Sequence, residues 1–168
     1  AFDLKAPTFR HQMYSDYKGT RTGMADELRE QMPIIKEILT AMGIPLFQKE
    51  GYEADDLLGT LSHNLNLQKQ RVLLMSGDKD YLQLVDEYVT LLLPKTKGGE
   101  TTLEVYTPQV IEETYGIKPK QFIEVKGLMG DPSDNIPGVP GIGEKTAMKI
   151  VQTFGTIENA LAHIEEVA

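Results

Sequence analysis

Arg71-Val72-Leu73-Leu74-Met75-Ser76-Gly77-Asp78-Lys79-Asp80 is an apolar strand that runs into a turn carrying two carboxylates. Its apolar residues are consecutive, the pattern of a strand covered on both faces in a parallel sheet. Working outward, strand and helix patterns alternate. Upstream, Leu28, Met32, Ile35, Ile38, Leu39 and Met42 fall on one stripe of a helix over 26–42. Pro33 should kink or split that helix, and Gly43 should stop it. Ile44 to Phe47 reads as a short strand, with Pro45 hinting at an edge, and 54–64 as a helix. Downstream come a helix at 81–85, a strand at 88–93, a turn at 95–99, a strand at 103–106, and helices at 108–115 and 119–127. The alternation predicts an α/β fold, with a mainly parallel central sheet and flanking helices. In such sheets ligand sites form at the carboxyl ends of strands, where Asp78 lies. Ala1-Phe2-Asp3 reads as the end of a strand already under way, so a first strand is expected upstream and Asp3 takes the same kind of position. From about Leu128 the composition changes. Gly and Pro are dense to Gly143, and helices follow at 144–154 and 156–164. Two regions are expected, a core over 1–127 and a helical region over 128–168 packed as part of the same unit.

With 168 residues, 40% hydrophobic and 25% charged, the chain can bury one core of ordinary composition. No apolar run approaches the roughly 18 residues of a membrane span, and no signal-peptide pattern opens the chain. The absence of cysteine excludes disulfides and thiolate metal sites, which fits an intracellular protein. A pI of about 4.9 argues mildly against nucleic acid as a partner.

The acidity is local. Eight carboxylates fall in four groups: Asp3; Glu53, Asp55 and Asp56; Asp78 and Asp80; Asp131 and Asp134. Without them the formal charge of −8 becomes −8 + 8 = 0. Carboxylates so grouped repel unless a positive charge lies between them, and a hard divalent cation prefers oxygen ligands. Two such ions would cancel about four charges in place. Three of the groups also have a plain reading as acids at a helix start, and Asp3 alone is simply an acid after a strand. Asp80 can be the N-cap that starts the helix over 81–85, and Asp131-Pro132-Ser133-Asp134 resembles a capping box with Pro at the first position. Glu53 and Asp55 would lie about 200° apart in a regular helix. Either Glu53 precedes the helix, or Glu53 and Asp56 form the facing pair.

Gly138-Val139-Pro140-Gly141-Ile142-Gly143 precedes a helix carrying Lys145 and Lys149 one turn apart. Gly138, Gly141 and Gly143 let backbone N–H groups approach a ligand, and a phosphate held there would be read without regard to base sequence. The competing reading is a glycine-rich turn between helices. Arg10, His11, Tyr14, Tyr17, Lys18 and Arg21 interleave cations with rings, which suits single-stranded nucleic acid. The competing reading is a solvated loop with ordinary tyrosine packing. His11 and His63 read as surface or packing residues.

Phe2-Asp3, Phe9-Arg10, Tyr17-Lys18-Gly19-Thr20-Arg21, Tyr52-Glu53-Ala54-Asp55-Asp56, Gly77-Asp78-Lys79-Asp80 and Gly127 to Gly143 stand in an order that resembles the 5′-nuclease (flap endonuclease) family, in the form found as the 5′→3′ exonuclease domain of bacterial DNA polymerases. The resemblance runs over essentially the whole chain. It implies a PIN-like fold and two Mg²⁺ or Mn²⁺ ions. One would be held mainly by Asp3, Glu53 and Asp55, the other by Asp78, Asp80, Asp131 and Asp134, with Asp55 or Asp56 near both. It implies a helix–hairpin–helix at 138–147 gripping duplex DNA, with a monovalent ion such as K⁺ at the hairpin. Arg10, Lys18 and Arg21 match the gateway for a 5′ single strand, and Lys18 and Arg21 are the catalytic cations expected to offset phosphoryl charge. The implied substrates are flapped, nicked or branched duplexes and RNA primers. The implied setting is a monomer in the bacterial cytoplasm, without a membrane. Family members begin with a strand bearing a further Asp, which this sequence lacks, so the first ion's set is expected to be short of a ligand. Two alternatives stand beside this reading: another PIN-like metal-dependent nuclease, and a DNA-binding module without catalysis.

Overall fold

The structure, a computed structural model, describes residues 1–167. Element order is α1 (Phe9–Met13), α2 (Asp26–Ala41), α3 (Ala54–Leu67), β1 (Val72–Met75), a 3₁₀ helix (Lys79–Leu84), β2 (Val89–Lys97), β3 (Glu100–Tyr106), α4 (Pro108–Tyr115) and α5 (Phe122–Met129). Strands β4 (Gly130–Asp131) and β5 (Ile136–Pro137) follow, then α6 (Glu144–Phe154), α7 (Ile157–Ala162) and α8 (Ile164–Val167). The main sheet has the order β1-β2-β3. β1 runs parallel to β2, with Leu74 opposite Leu91. β2 runs antiparallel to β3, because the chain turns back at once through Gly98 and Gly99, both at positive φ. The turn is therefore narrower than the expected 95–99, and the sheet is mixed.

The chain forms two compact units that do not divide at 127/128. One comprises Ala1–Leu58 with Pro132–Ile136; the other comprises Gly59–Asp131 and the residues from Pro137 onward. Pro132–Ile136 goes with the N-terminal segment because hydrogen bonds hold it there. Lys18 N donates to Asp134 O at 2.9 Å, and Asn135 Nδ2 donates to Asp16 O at 2.8 Å.

The apolar core lies in the second unit. Val89, Leu91 and Leu93 alternate inward from β2, and Tyr81, Leu82, Val85, Tyr106 and Ile111 are also buried. A helical cluster of Ile117, Val125, Leu128, Ala147, Ile150, Val151 and Ala160 joins α5, α6 and α7. The expectation that β1 is buried on both faces does not hold. Leu74 is buried, but Leu73 and Met75 are 68% and 60% exposed on an edge strand.

The N-terminal unit is organised differently. Its buried side chains are Thr8, Tyr17 and Glu53, and none of α2 is buried. Ile44–Phe47 is not a strand: Phe2 N donates to Phe47 O at 3.0 Å, and one bond beside an N–H-less Pro45 makes no ladder. Phe2 and Asp3 likewise lie outside any strand among the described residues. Pro33 does not split α2, which runs through it as sixteen helical residues.

Candidate functional site

Helix α3 opens at Ala54, so Glu53 precedes it as its N-cap, and the first of the two geometric options holds. Leu57 N donates to Glu53 O, and Glu53 N donates to Asp56 Oδ2 at 2.9 Å, the reciprocal half of a capping box. Asp3 reaches the same helix end, where its Oδ1 accepts from Ala54 N at 2.6 Å. Asp55 is exposed on the first turn. Asp3 and Asp56 thus both serve as caps; for Asp56 this agrees with the plainer reading of acids at a helix start, whereas sequence offered no such reading for Asp3.

Capping does not account for the other bonds. Arg10 forks onto Asp56, with Nη1 to Oδ2 and Nη2 to Oδ1 both at 2.8 Å, and lies 3.5 Å from Glu53. These hydrogen bonds hold the Asp56 carboxyl below its ordinary range against the opposing effect of burial, and raise Arg10 in turn. Lys18 Nζ meets Glu53 Oε1 at 2.8 Å. Arg21 pairs with Asp134 and donates to Ser133 O at 3.1 Å. Tyr17, 5% exposed, sits at the centre with its hydroxyl 2.9 Å from Glu53 Oε2 and 3.0 Å from Asp134 Oδ2. Burial first, then these two carboxylates, push its phenol well above the usual tyrosine range. Tyr17 is accordingly a packed strut rather than a stacking surface, whereas Tyr14 keeps an exposed ring. His11 closes the start of α1, accepting from Thr8 N at 3.1 Å through Nδ1, which agrees with a packing role.

In the second unit Asp78 caps the 3₁₀ helix that follows β1. Its Oδ1 accepts from Asp80 N at 2.8 Å. The cap therefore falls at Asp78 and not at Asp80, because the helix opens two residues earlier than expected, and Asp80 has another partner. Lys126 Nζ, from α5, lies 2.9 Å from Asp80 Oδ1 and 2.9 Å from Asp131 Oδ2. Burial alone would lower this ammonium, but the two hydrogen bonds outweigh it and raise Lys126 above the usual lysine range. Sequence reasoning passed over Lys126. The signal available was a lone lysine five residues before Asp131, at the end of an apolar helix. Asp134, grouped by sequence with Asp78, Asp80 and Asp131, is bonded instead to Tyr17 and Arg21.

The hairpin at 138–143 follows its glycines. A Cβ on Gly138 would fall 2.2 Å from Met129 C and 2.3 Å from Met129 O, so only glycine permits that approach. Val139 N donates to Leu128 O at 2.8 Å, and Ile142 N to Val139 O at 3.0 Å. Gly141 turns the chain at φ +84°. Gly143 is the N-cap of α6, whose first turns expose Lys145 and Lys149.

Divalent ions fit the donors present. The acids offer only oxygen, as Mg²⁺ and Mn²⁺ prefer. Asp80 and Asp131 already hold one positive atom in common. Among the described residues no three His, Cys, Asp or Glu side chains converge to hold an ion unaided. A pair of carboxylates still suits Mg²⁺, which usually keeps several waters and takes phosphate oxygens as further ligands.

Residues 1–116 match the family model described as 5′-3′ exonuclease, N-terminal resolvase-like domain, and 117–168 match 5′-3′ exonuclease, C-terminal SAM fold. The chain belongs to the 5′-3′ exonuclease family. It is 50% identical over 167 residues to DNA polymerase I of Bacillus caldotenax, and 48% identical over 168 residues to that of Bacillus subtilis. These alignments take in 99% and 100% of this chain but 19% of each polymerase, so the chain spans about a fifth of the curated relatives it matches. Among solved structures, bacteriophage T5 flap endonuclease, in a pseudo-enzyme–product complex with DNA and metal ions, superposes with TM-score 0.75 and 28% identity, over 95% of this chain and 61% of that one. T5 5′-exonuclease with zinc bound gives 0.75 and 28%, over 96% and 61%. The catalytic core of Rad2, at 23% identity and TM-score 0.57 over 94% and 48%, shares the fold. The 5′-3′ exonuclease family thus accounts for both parts of the architecture, the α/β core with flanking helices and the helical region after it. No helix among the described residues is long and apolar enough to cross a membrane.

Proposed function

We infer that this chain is a structure-specific 5′ nuclease domain that hydrolyses DNA phosphodiesters with divalent ions, acting on 5′ flaps and on nicked or branched duplexes, RNA primers included, in replication and repair. The observation that carries the reading is the family match over the whole chain, joined to acidic groups already occupied by the protein's own cations. The T5 relative's complex with DNA and metal ions supports the substrate and the cofactor. Asp78, Asp80 and Asp131 would hold one Mg²⁺ or Mn²⁺, and Asp3, Glu53, Asp55, Asp56 and Asp134 would serve the other. When bound, such ions supply Lewis-acid activation of a water and neutralise phosphoryl charge. Lys18 and Arg21 bring fixed positive charge to the same carboxylates and would offset charge on the reacting phosphate. Lys145, Lys149 and the 138–143 hairpin would hold duplex phosphates irrespective of sequence, with K⁺ as the monovalent ion of the hairpin. Arg10 and Tyr14 would meet the 5′ single strand. The domain is read as a cytoplasmic bacterial monomer.

The test is a 5′-flap duplex incubated with the protein and Mn²⁺. Cleavage that leaves a 5′-phosphate product, lost in Asp80→Asn, is the expected result. A second reading, DNA binding without cleavage, is favoured by the lack of three converging acids among the described residues. Retained binding with no cleavage at any Mn²⁺ concentration would establish it and sink the nuclease reading for this chain.

A further inference from the structure

Lys126 has no part in the function just described, yet its ammonium occupies the point where Asp80 and Asp131 converge. Asp131 is 14% exposed at its side chain, and a carboxylate so enclosed needs a positive partner. Asp80 and Lys126 are 37% and 38% exposed, open enough for the pairing to exchange. We propose that Lys126 is a resident counter-ion: it holds Asp80 and Asp131 together in the metal-free protein, and a divalent cation must displace it to bind there. This rests on the metal-dependent reading above and adds a built-in competitor to it.

Two facts make the exchange exclusive. The carboxylate oxygens stand 2.9 Å from a common nitrogen, whereas Mg²⁺ takes its oxygens at about 2.0–2.1 Å. The two oxygens must therefore close on the ion, which leaves the ammonium no room between them. Ammonium and ion also repel, so the lysine head has to swing away on its four-carbon stem. Lys126 thereby performs two opposed tasks. It keeps the acids assembled before the ion arrives, and it sets the ion concentration at which loading occurs. A displaced ammonium beside a newly positive site would favour an anion there, such as a phosphate.

The experiment measures Mn²⁺ affinity directly, without DNA, by electron paramagnetic resonance titration of the full chain. It compares wild type with Lys126→Met, Lys126→Arg, Asp131→Asn and the Lys126→Met/Asp131→Asn double variant. Methionine keeps the apolar stem and removes the charge, and far-UV circular dichroism confirms folding. Lys126→Met is expected to bind Mn²⁺ roughly tenfold more tightly, the competition released by two partly exposed ion pairs. Lys126→Arg, which keeps the charge, is expected to stay near wild type. The double variant is expected to lose the gain, which locates the ion. Equal or weaker binding by Lys126→Met, while wild type binds and Asp131→Asn does not, overturns the counter-ion role and leaves the metal reading standing. Absence of Mn²⁺ binding in every variant overturns the metal reading and this inference with it.

Discussion

Tyr17→Phe removes one oxygen atom from a buried polar contact of the N-terminal unit. The hydroxyl has a single proton and two carboxylate neighbours, Glu53 Oε2 at 2.9 Å and Asp134 Oδ2 at 3.0 Å. Tyr17 and Glu53 are 5% and 6% exposed, so water does not readily take its place. A hydrogen bond to a charged acceptor contributes about 1.5–3 kcal/mol, and an orphaned buried acceptor lies at the upper end of that range. Lys18 and Arg10 remain beside Glu53, and Arg21 beside Asp134, so the carboxylates keep countercharge and the loss stops short of a bare buried ion. The expected cost is about 2–3 kcal/mol. At about 2–4 °C per kcal/mol for a chain of this size, Tm falls by roughly 4–12 °C. Thermal and urea unfolding by circular dichroism measure it, with Tyr14→Phe as the control, since that ring is exposed and its loss should stay within about 0.5 kcal/mol. Ultraviolet titration gives an independent check. The folded Tyr17 phenol is raised, so its contribution is present below the ordinary tyrosine pKa of about 10 and disappears as pH climbs through the raised value. A Tyr17→Phe variant that melts within about 1 °C of wild type would refute the view that this hydroxyl ties the two acids together.

Three further outcomes follow from particular contacts. Gly138→Ala forces a carbon to within 2.2 Å of backbone and should cost about 3 kcal/mol or more, while Gly143→Ala, with nothing within 4 Å of the added atom, should cost under about 1 kcal/mol; urea unfolding separates them. In Arg10→Met the Asp56 carboxyl loses the partner that holds it below its ordinary range. Wild-type stability from this pair is present above about pH 4 and is lost as pH falls through the lowered value, so the variant should start about 1–2 kcal/mol lower and lose less on acidification between pH 5 and 3. Lys145→Ala should weaken duplex binding evenly across sequences and reduce the slope of log K against log salt by about 0.9, measured by fluorescence anisotropy.

The parts of the fold that sequence made legible are those fixed by local rules. Gly116 closes α4 at φ +67°, Thr107 caps it, and Pro108 opens it. Glu144–Phe154 is helical, as expected after the glycine-rich stretch that ends at Gly143. What sequence missed depends on distant partners. Consecutive apolar residues in β1 say that a strand forms, but its exposure depends on what lies beyond an edge, which no periodicity encodes. Pro33 breaks one hydrogen bond at most in an exposed helix of sixteen residues, too little to divide it. For the candidate site, the acids were legible by clustering, and their partition was not. Asp131 and Asp134 are three residues apart, yet one bonds to Lys126 and the other to Tyr17 and Arg21.

That partition also sets how the charges are paired in a chain of net charge −8. Five carboxylates, Glu53, Asp56, Asp80, Asp131 and Asp134, share four cations, Arg10, Lys18, Arg21 and Lys126. Three of these cations look, from sequence, like contacts for nucleic acid. Each is also engaged with a carboxylate, so a phosphate that approaches them competes with an internal partner. The same is true of a divalent ion approaching the acids. Supplying both together satisfies each side, because an ion taking the carboxylates frees cations and a phosphate takes up the freed cations. Ion and phosphate should therefore bind with positive coupling, and because coupling is reciprocal each should tighten the other by the same factor. A Mn²⁺ affinity unchanged by a saturating 5′-phosphorylated oligonucleotide would contradict that exchange of partners.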